Sequence, residues 1–351
     1  MWVVLCASDR RIRPLKTDFY IPPGPVRYAK GMAARAERLG YDGLFTADTA
    51  HDPFLPLVVA AEETETLQLG TAIAVAFARS PMTVAYTAWD LAQLTNGRFL
   101  LGLGTQIRPH ITRRFSMPWG KPGPQMREYI AALRAIWETF QNAAPLRFEG
   151  EYYDFRLMTP FFDPGPISHP DIPIYIAGVG EYMSKLAGEV CQGFHAHPFH
   201  TVKYLDEVVL PAMAQGAELA GRSLADVEIV TTTFVITGNT SEEMDAAVDA
   251  TRQQIAFYAS TPAYAGVLDA HGWDFGPTLN AMSKRGEWAQ MLELITDDVL
   301  DEVAITAPIG ELGDAIRRRY GERVQRVGLY TVVPPALDDD GWRALVADIK
   351  G

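Results

Sequence analysis

Cysteine is nearly absent. The 351 residues carry two, Cys6 and Cys191, far apart in the chain. Two distant thiols argue against a disulfide framework, and the cysteines lack metal-ligand spacing. They read as structural thiols in a reducing cytosol, so a cytoplasmic location is expected. Long apolar runs are also missing: none reaches the ~18 residues that a membrane-spanning helix requires. The opening MWVVLCASDRRIRP places its arginines after a short apolar run, the reverse of a signal peptide. Positive charge is in deficit, with 31 Lys and Arg against 43 Asp and Glu and a formal net charge of -12. That balance argues against a nucleic-acid partner, which needs a basic face, yet it permits a local basic pocket for an anionic cofactor. The dinucleotide fingerprint G-x-G-x-x-G is lacking, because Met183 stands at its sixth position after Gly178-Val179-Gly180. No short-period repeat occurs.

What is present is an alternation of short apolar runs with helical periodicity. The stretch 69–106 shows it most clearly. Residues 69–77, LGTAIAVAF, read as one strand buried on both faces. Pro81 opens a helix, Asn96-Gly97 stops it, and residues 98–103 form the next strand. A strand–helix–strand unit of this length is a right-handed crossover, so the two strand ends near Val75 and Gly104 should face one side. Further strands are expected at 15–20, 41–47, 173–177, 193–196, 227–237 and 326–332. Eight βα units with no reversal signal fit a (β/α)8 barrel better than the competing open doubly wound sheet. Residues 146–170 suggest an inserted hairpin and loop. Residues 241–295 are too long for one crossover helix and imply a helical insertion before strand eight. Residues 1–14 read as an extension, and 15–351 as one domain.

In a barrel the chemistry gathers on the loops that follow the strands. Four such loops are polar or glycine-rich here: 48–52, 105–110, 178–180 and 195–200. Gly178-Val179-Gly180 is either a tight strand-to-helix turn or a phosphate cradle at a helix N-terminus. His195, His197 and His200 invite a zinc reading, but no supporting carboxylate–histidine pair follows on a helix, so no metal is expected. His197 reads better as a polar contact to a ligand and His195 as barrel lining. His51 is either a proton donor or a loop cap before Asp52-Pro53. Arg108, Arg113 and Arg114 are either solvated charge or a grip on an acidic ligand tail.

These residues resemble a known family. Leu69-Gly70-Thr71-Ala72-Ile73, Arg79-Ser80-Pro81, Asp90-Leu91 and the run Gly97 to Gly104 match the core signature of luciferase-like monooxygenases and oxidoreductases. Ala36-Glu37 with Leu39 to Leu44, Met126 to Tyr129 and Ile172 to Gly178 extend the match. Within that superfamily the chain is most similar to the branch using the deazaflavin coenzyme F420, in an uncharacterised subgroup. The resemblance implies a luciferase-like barrel, a homodimer, and a ring lying across the barrel mouth. The ring would be backed by a bulge in strand three with a cis peptide at Ala72–Ile73. By the same resemblance, cofactor contacts fall on Asp48, Thr49, Ala72, Ile73, Val75, Gly104, Thr105, Gln106 and His110. Its phosphate would meet Gly178, Val179, Gly180, Tyr182 and Met183, with His197 and His200 at the next strand end.

Two departures matter. A sugar-phosphate dehydrogenase branch carries a histidine where Thr49 stands and a glutamate where Ile107 stands, so its acid/base pair is missing. His51 and Asp48 are the candidate catalytic groups in its place. The expected activity is hydride transfer between coenzyme F420 and a small, hydrophobic organic substrate. Phe77, Phe115, Met117, Trp119 and Tyr264 are candidates for the substrate wall. Two alternatives stand beside it: an FMN-dependent monooxygenase, and a binding protein holding a flavin-like ligand without turnover.

Overall fold

The computed structural model describes residues 14–351. The expected extension over 1–14 therefore lies outside the described residues, apart from Pro14. Eight parallel strands form the centre: β1 (Lys16–Tyr20), β2 (Gly43–Thr46), β3 (Gln68–Thr71), β4 (Phe99–Gly104), β5 (Ile174–Gly178), β6 (Gly193–Ala196), β7 (Glu228–Ile236) and β8 (Arg326–Tyr330). Each pairs in parallel with its sequence neighbour, and β8 pairs with β1 through Lys16 and Arg326, which closes the sheet into a barrel. The expected (β/α)8 architecture is observed.

The strands are buried on both faces, which is why β2 and β4 read as unbroken apolar runs, GLFT and FLLGLG, with no exposed position. Inward-facing residues alternate along each strand. Phe45, Leu100, Tyr175 and Val230 pack together in the barrel interior. Glycine supplies the room: a Cβ on Gly43 would stand 2.3 Å from the Arg326 guanidinium, and one on Gly102 only 1.8 Å from the Thr71 carbonyl oxygen. The surrounding helices carry the complementary apolar stripe, as in Pro122–Asn142, whose Ile130, Leu133, Ile136 and Trp137 are buried.

Residues 69–77 depart from the single-strand reading. β3 stops at Thr71, Ala72–Ile73 is cis, and a two-residue strand, Ala74–Val75, resumes against β4. The apolar run is continuous because both pieces are buried, so hydropathy alone does not reveal the break. Val75 still stands beside Gly104, as the crossover required. Ser80 caps the next helix by accepting from the Met82 N–H, Pro81 occupies its first turn, and Asn96 and Gly97 both take the left-handed conformation at its end.

The inserted hairpin is present as Phe148–Glu149 against Asp154–Phe155. The helical insertion begins with Ser241–Ala259 and ends at a short parallel strand, Ala304–Thr306, paired to the end of β7. Two helices went unread in the sequence: Asp297–Val303, beyond the expected insertion, and the terminal Asp339–Lys350. Asp338 caps the terminal helix, and Arg35 and Lys350 tie it to the helix Tyr28–Leu39 and the turn after it through Asp339, Gly40 and Asp42.

Candidate functional site

The carboxyl ends of the strands form the barrel mouth, and its two sides differ. The side built from β2 to β5 is mostly backbone. The bulge 72–75 lies beside Gly104, where a Cβ would strike the Ile73 side chain at 2.6 Å. Asp48 holds the bulge in place. Its backbone N–H donates to the Ile73 carbonyl at 3.0 Å, and its Oδ2 accepts from the Val75 N–H at 3.0 Å. The same oxygen takes Arg79 Nη1 at 2.5 Å, while Arg79 Nη2 reaches Asp52 at 3.1 Å. The Asp48 carboxylate is thus occupied as a brace. Sequence reading placed Arg79 in the family signature and missed that it bridges two acids of the mouth. Its signal was the pair of acids, Asp48 and Asp52, on the neighbouring loop.

The other expected residues of this side are scattered in exposure. Val75 is buried, Thr105 and Gln106 are half-buried, and Thr49, His51, Ile107 and His110 are exposed. Gln106 has a positive φ of 58°, and its side-chain oxygen accepts from the Ile107 N–H. The Thr49 carbonyl accepts from Arg114, whose guanidinium also sits over Phe115. Arg108, Arg113 and Arg114 are all exposed. His51 makes no hydrogen bond among the described residues.

After β5 the helix Glu181–Val190 starts at Gly180, with no side-chain cap. Its first N–H groups have no acceptor within the helix. A Cβ on Gly178 would lie 2.5 Å from that of Met183, so glycine lets the helix start close against the strand end. A Cβ on Gly180 would meet nothing within 4 Å, which leaves the helix N-terminus open to an anion. Tyr182 is exposed and Val179 half-buried, its carbonyl accepting from Tyr204 Oη at 2.8 Å.

The side built from β6 to β8 is aromatic and hydroxylated. The inner row of β6 runs Gly193, His195 and then His197 just past the strand. His195 is buried in the barrel between Phe45 and Tyr175, and its Nε2 has no partner. Burial, aided by the Arg326 charge against an opposing Glu228, pushes its pKa down to about 3. The reading of His195 as barrel lining matches its position. His197 Nδ1 accepts from the Phe199 N–H at 3.1 Å, and its Nε2 lies 3.0 Å from Tyr264 Oη. Burial and the neighbouring His200 hold its pKa down to about 3.

His200 lies deeper than His197. It is buried, with Nδ1 on the His197 carbonyl at 2.7 Å and Nε2 on Tyr320 at 3.0 Å. The loop folds inward there because Thr201 caps the following helix. The expected substrate wall also divides. Phe77 meets Trp119 edge to face on the β3–β4 side, while Tyr264 stands with His197 across the mouth. Among the described residues no cluster of His, Cys, Asp and Glu could hold a metal ion.

The luciferase-like monooxygenase family model matches residues 5–327. The chain belongs to that family. An uncharacterised protein of Mycobacterium tuberculosis is 50% identical over 316 residues, covering 90% of this chain and 93% of the relative. A 5,10-methylenetetrahydromethanopterin reductase of Methanolobus tindarius is 28% identical over 294 residues, covering 82% and 84%. Among solved structures, the coenzyme F420-dependent tetrahydromethanopterin reductase of Methanopyrus kandleri superposes with a TM-score of 0.78 at 21% identity, covering 96% and 98%. A type II Baeyer–Villiger monooxygenase component of Pseudomonas putida in complex with FMN superposes with a TM-score of 0.70 at 16% identity, covering 96% of each chain. At these identities the solved neighbours speak for the luciferase-like barrel alone.

Proposed function

We propose that the protein is a coenzyme F420-dependent oxidoreductase acting on a small organic substrate in the barrel mouth. The observation that carries the reading is the braced bulge beside an open helix N-terminus. A planar ring needs an apolar floor, and residues 72–75, with the Ile73 side chain lying over Gly104, supply one. A phosphate needs unpaired N–H groups, and the start of Glu181–Val190 supplies them. The residues present therefore fit a deazaflavin: Ile73, Val75 and Gly104 beneath the ring, Gly180 to Met183 around its phosphate. When bound, the cofactor supplies the hydride chemistry.

The chain's own residues would position and enclose. Asp48 and Arg79 keep the bulge in register, so the ring floor is preorganised before ligand arrives. Phe77 and Trp119 exclude water on one side. Coenzyme F420 is favoured over FMN by a Mycobacterium tuberculosis relative named as a putative coenzyme F420-dependent oxidoreductase, 28% identical over 314 residues and covering 84% of this chain and 88% of its own. FMN remains the second reading because the same barrel holds FMN in the Baeyer–Villiger component.

Titration of the purified apoprotein with F420 and with FMN, followed by cofactor fluorescence, tests the choice. Tight F420 binding, followed by consumption of reduced F420 with a panel of ketones and enones, is the expected result. Tight FMN binding with no F420 binding would overturn it. F420 binding without turnover on the panel would favour a binding protein.

A further inference from the structure

Three tyrosines, Tyr258, Tyr264 and Tyr330, stand over the β6–β8 side of the mouth. Tyr330 ends the inner row of β8, and Tyr258 and Tyr264 descend from the helical insertion. Tyr258 Oη and Tyr330 Oη lie 3.3 Å apart, one donating to the other. Tyr264 is bonded instead to an imidazole whose proton can be placed: among the described residues its hydroxyl has one partner, His197 Nε2. The direction of that bond is fixed by the far side of the imidazole. His197 Nδ1 accepts the Phe199 N–H, so it carries no proton. The ring is neutral at ordinary pH because burial disfavours its cation. Its one proton is therefore on Nε2, which must donate to Tyr264. The Tyr264 oxygen receives, and its own proton has to point elsewhere.

We propose that Tyr264 is an obligate outward hydrogen-bond donor, locked by the His197 tautomer, which selects a ligand bearing an acceptor oxygen in the mouth. The ligand class is a small carbonyl compound or alcohol, its acceptor oxygen on a hydroxyl whose ring is held in place by Phe199 and Tyr258. The phenol keeps its proton throughout, burial raising its pKa to about 12. A tyrosine whose proton were free to turn towards His197 would accept as readily as donate and would give no such selectivity. This inference rests on the proposed oxidoreductase reading for its substrate, but its lock is a property of the protein alone.

Two measurements on the full chain without cofactor test it. In the first, 15N spectra of histidine-labelled protein report the His197 tautomer. A neutral ring protonated on Nε2 from pH 5 to pH 8 is expected, and an Nδ1–H tautomer would overturn the proposal. In the second, 13Cζ-tyrosine-labelled protein is titrated with cyclohexanone, cyclohexanol and methylcyclohexane, with the Tyr264 signal assigned from Tyr264→Phe. Saturable shifts with the two oxygenated probes only are expected. Their affinity should fall about 3- to 10-fold in Tyr264→Phe, the worth of one neutral hydrogen bond. Equal affinity in the two proteins, or no saturable shift with either oxygenated probe, would overturn it. A matching thermal melt shows that the variant is folded, and the tautomer measurement needs no variant. F420 binding without a Tyr264 response would sink this inference alone. A Tyr264 response without F420 binding would sink the cofactor reading alone.

Discussion

The two ends of the barrel handle polar groups in opposite ways. At the amino-terminal end, Arg326 and Asp18 are fully buried and joined through two bonds, Nε at 2.9 Å and Nη2 at 2.5 Å. Arg326 also meets Gln68 and Glu228, and Glu228 takes Lys16 and Tyr175. Every charge there is answered by a neighbour. At the carboxyl end, the open helix start, His51, His110 and the outward proton of Tyr264 have no partner within the described residues. Both ends are rich in chemistry-bearing side chains, so residue type does not tell floor from site. Saturation separates these two clusters, since the charges of the floor are paired and the groups at the rim are open; buried lining atoms such as His195 Nε2 and Thr17 Oγ1 also lack partners, so a free valence alone does not make a site.

The largest effect should come from breaking the floor. Asp18→Ala leaves a buried, permanently charged guanidinium and should cost about 3–5 kcal/mol in urea unfolding. Replacing both partners, as Asp18→Leu with Arg326→Met, should recover most of that loss. If the double variant is no better than the single one, the floor is not a closed ion-pair unit.

Acid sensitivity comes next. His195 and His197 have folded pKa values of about 3 and His200 of about 4, all below the ordinary 6.5. Below pH 6.5 the unfolded chain binds protons that the folded chain refuses. Stability should therefore fall as pH drops from 6.5 towards 4, by about 1.4 kcal/mol per pH unit for each ring. Above pH 6.5 these rings contribute no slope. Urea midpoints at pH 7.5, 6 and 5 check this, and His195→Leu should remove about a third of the slope.

Asp48→Ala strips the bulge of its brace and should cost about 2 kcal/mol, leaving the Val75 N–H unanswered and Arg79 with Asp52 as its one acidic partner. F420 affinity should weaken with it, whereas Asp18→Leu with Arg326→Met should leave that affinity unchanged. Equal loss of F420 binding in both would erase the distinction between the two ends. The smallest effect is expected at His51, where His51→Ala should keep stability within about 0.5 kcal/mol and leave F420 affinity alone. Its turnover decides whether His51 gives a proton: unchanged kcat removes it from that role.

Most of the barrel was legible because buried parallel strands write themselves as short apolar runs. The helix starts and stops at Pro81 and Asn96-Gly97 followed from local chemistry. The break after Thr71 was invisible to hydropathy and came only through the family signature, since both strand pieces are equally buried. The terminal helix was missed although Trp342, Leu345, Val346 and Ile349 recur at helical spacing behind a capping Asp338. The site was harder. Asp48 was singled out, but that its carboxylate faces Arg79 and the Val75 N–H depends on contacts between loops. His200 looked like its neighbour His197, and only the inward fold of the loop separates them. The bond from Tyr264 to His197 spans 67 residues and leaves no local trace.

The most direct test of the mouth as a cofactor platform is a crystal structure of the protein grown with F420. The expected result is the deazaflavin ring lying on residues 73–75 and Gly104, with its phosphate on the N–H groups of Gly180 to Met183. A ring bound elsewhere, or a phosphate held away from that helix start, would contradict it.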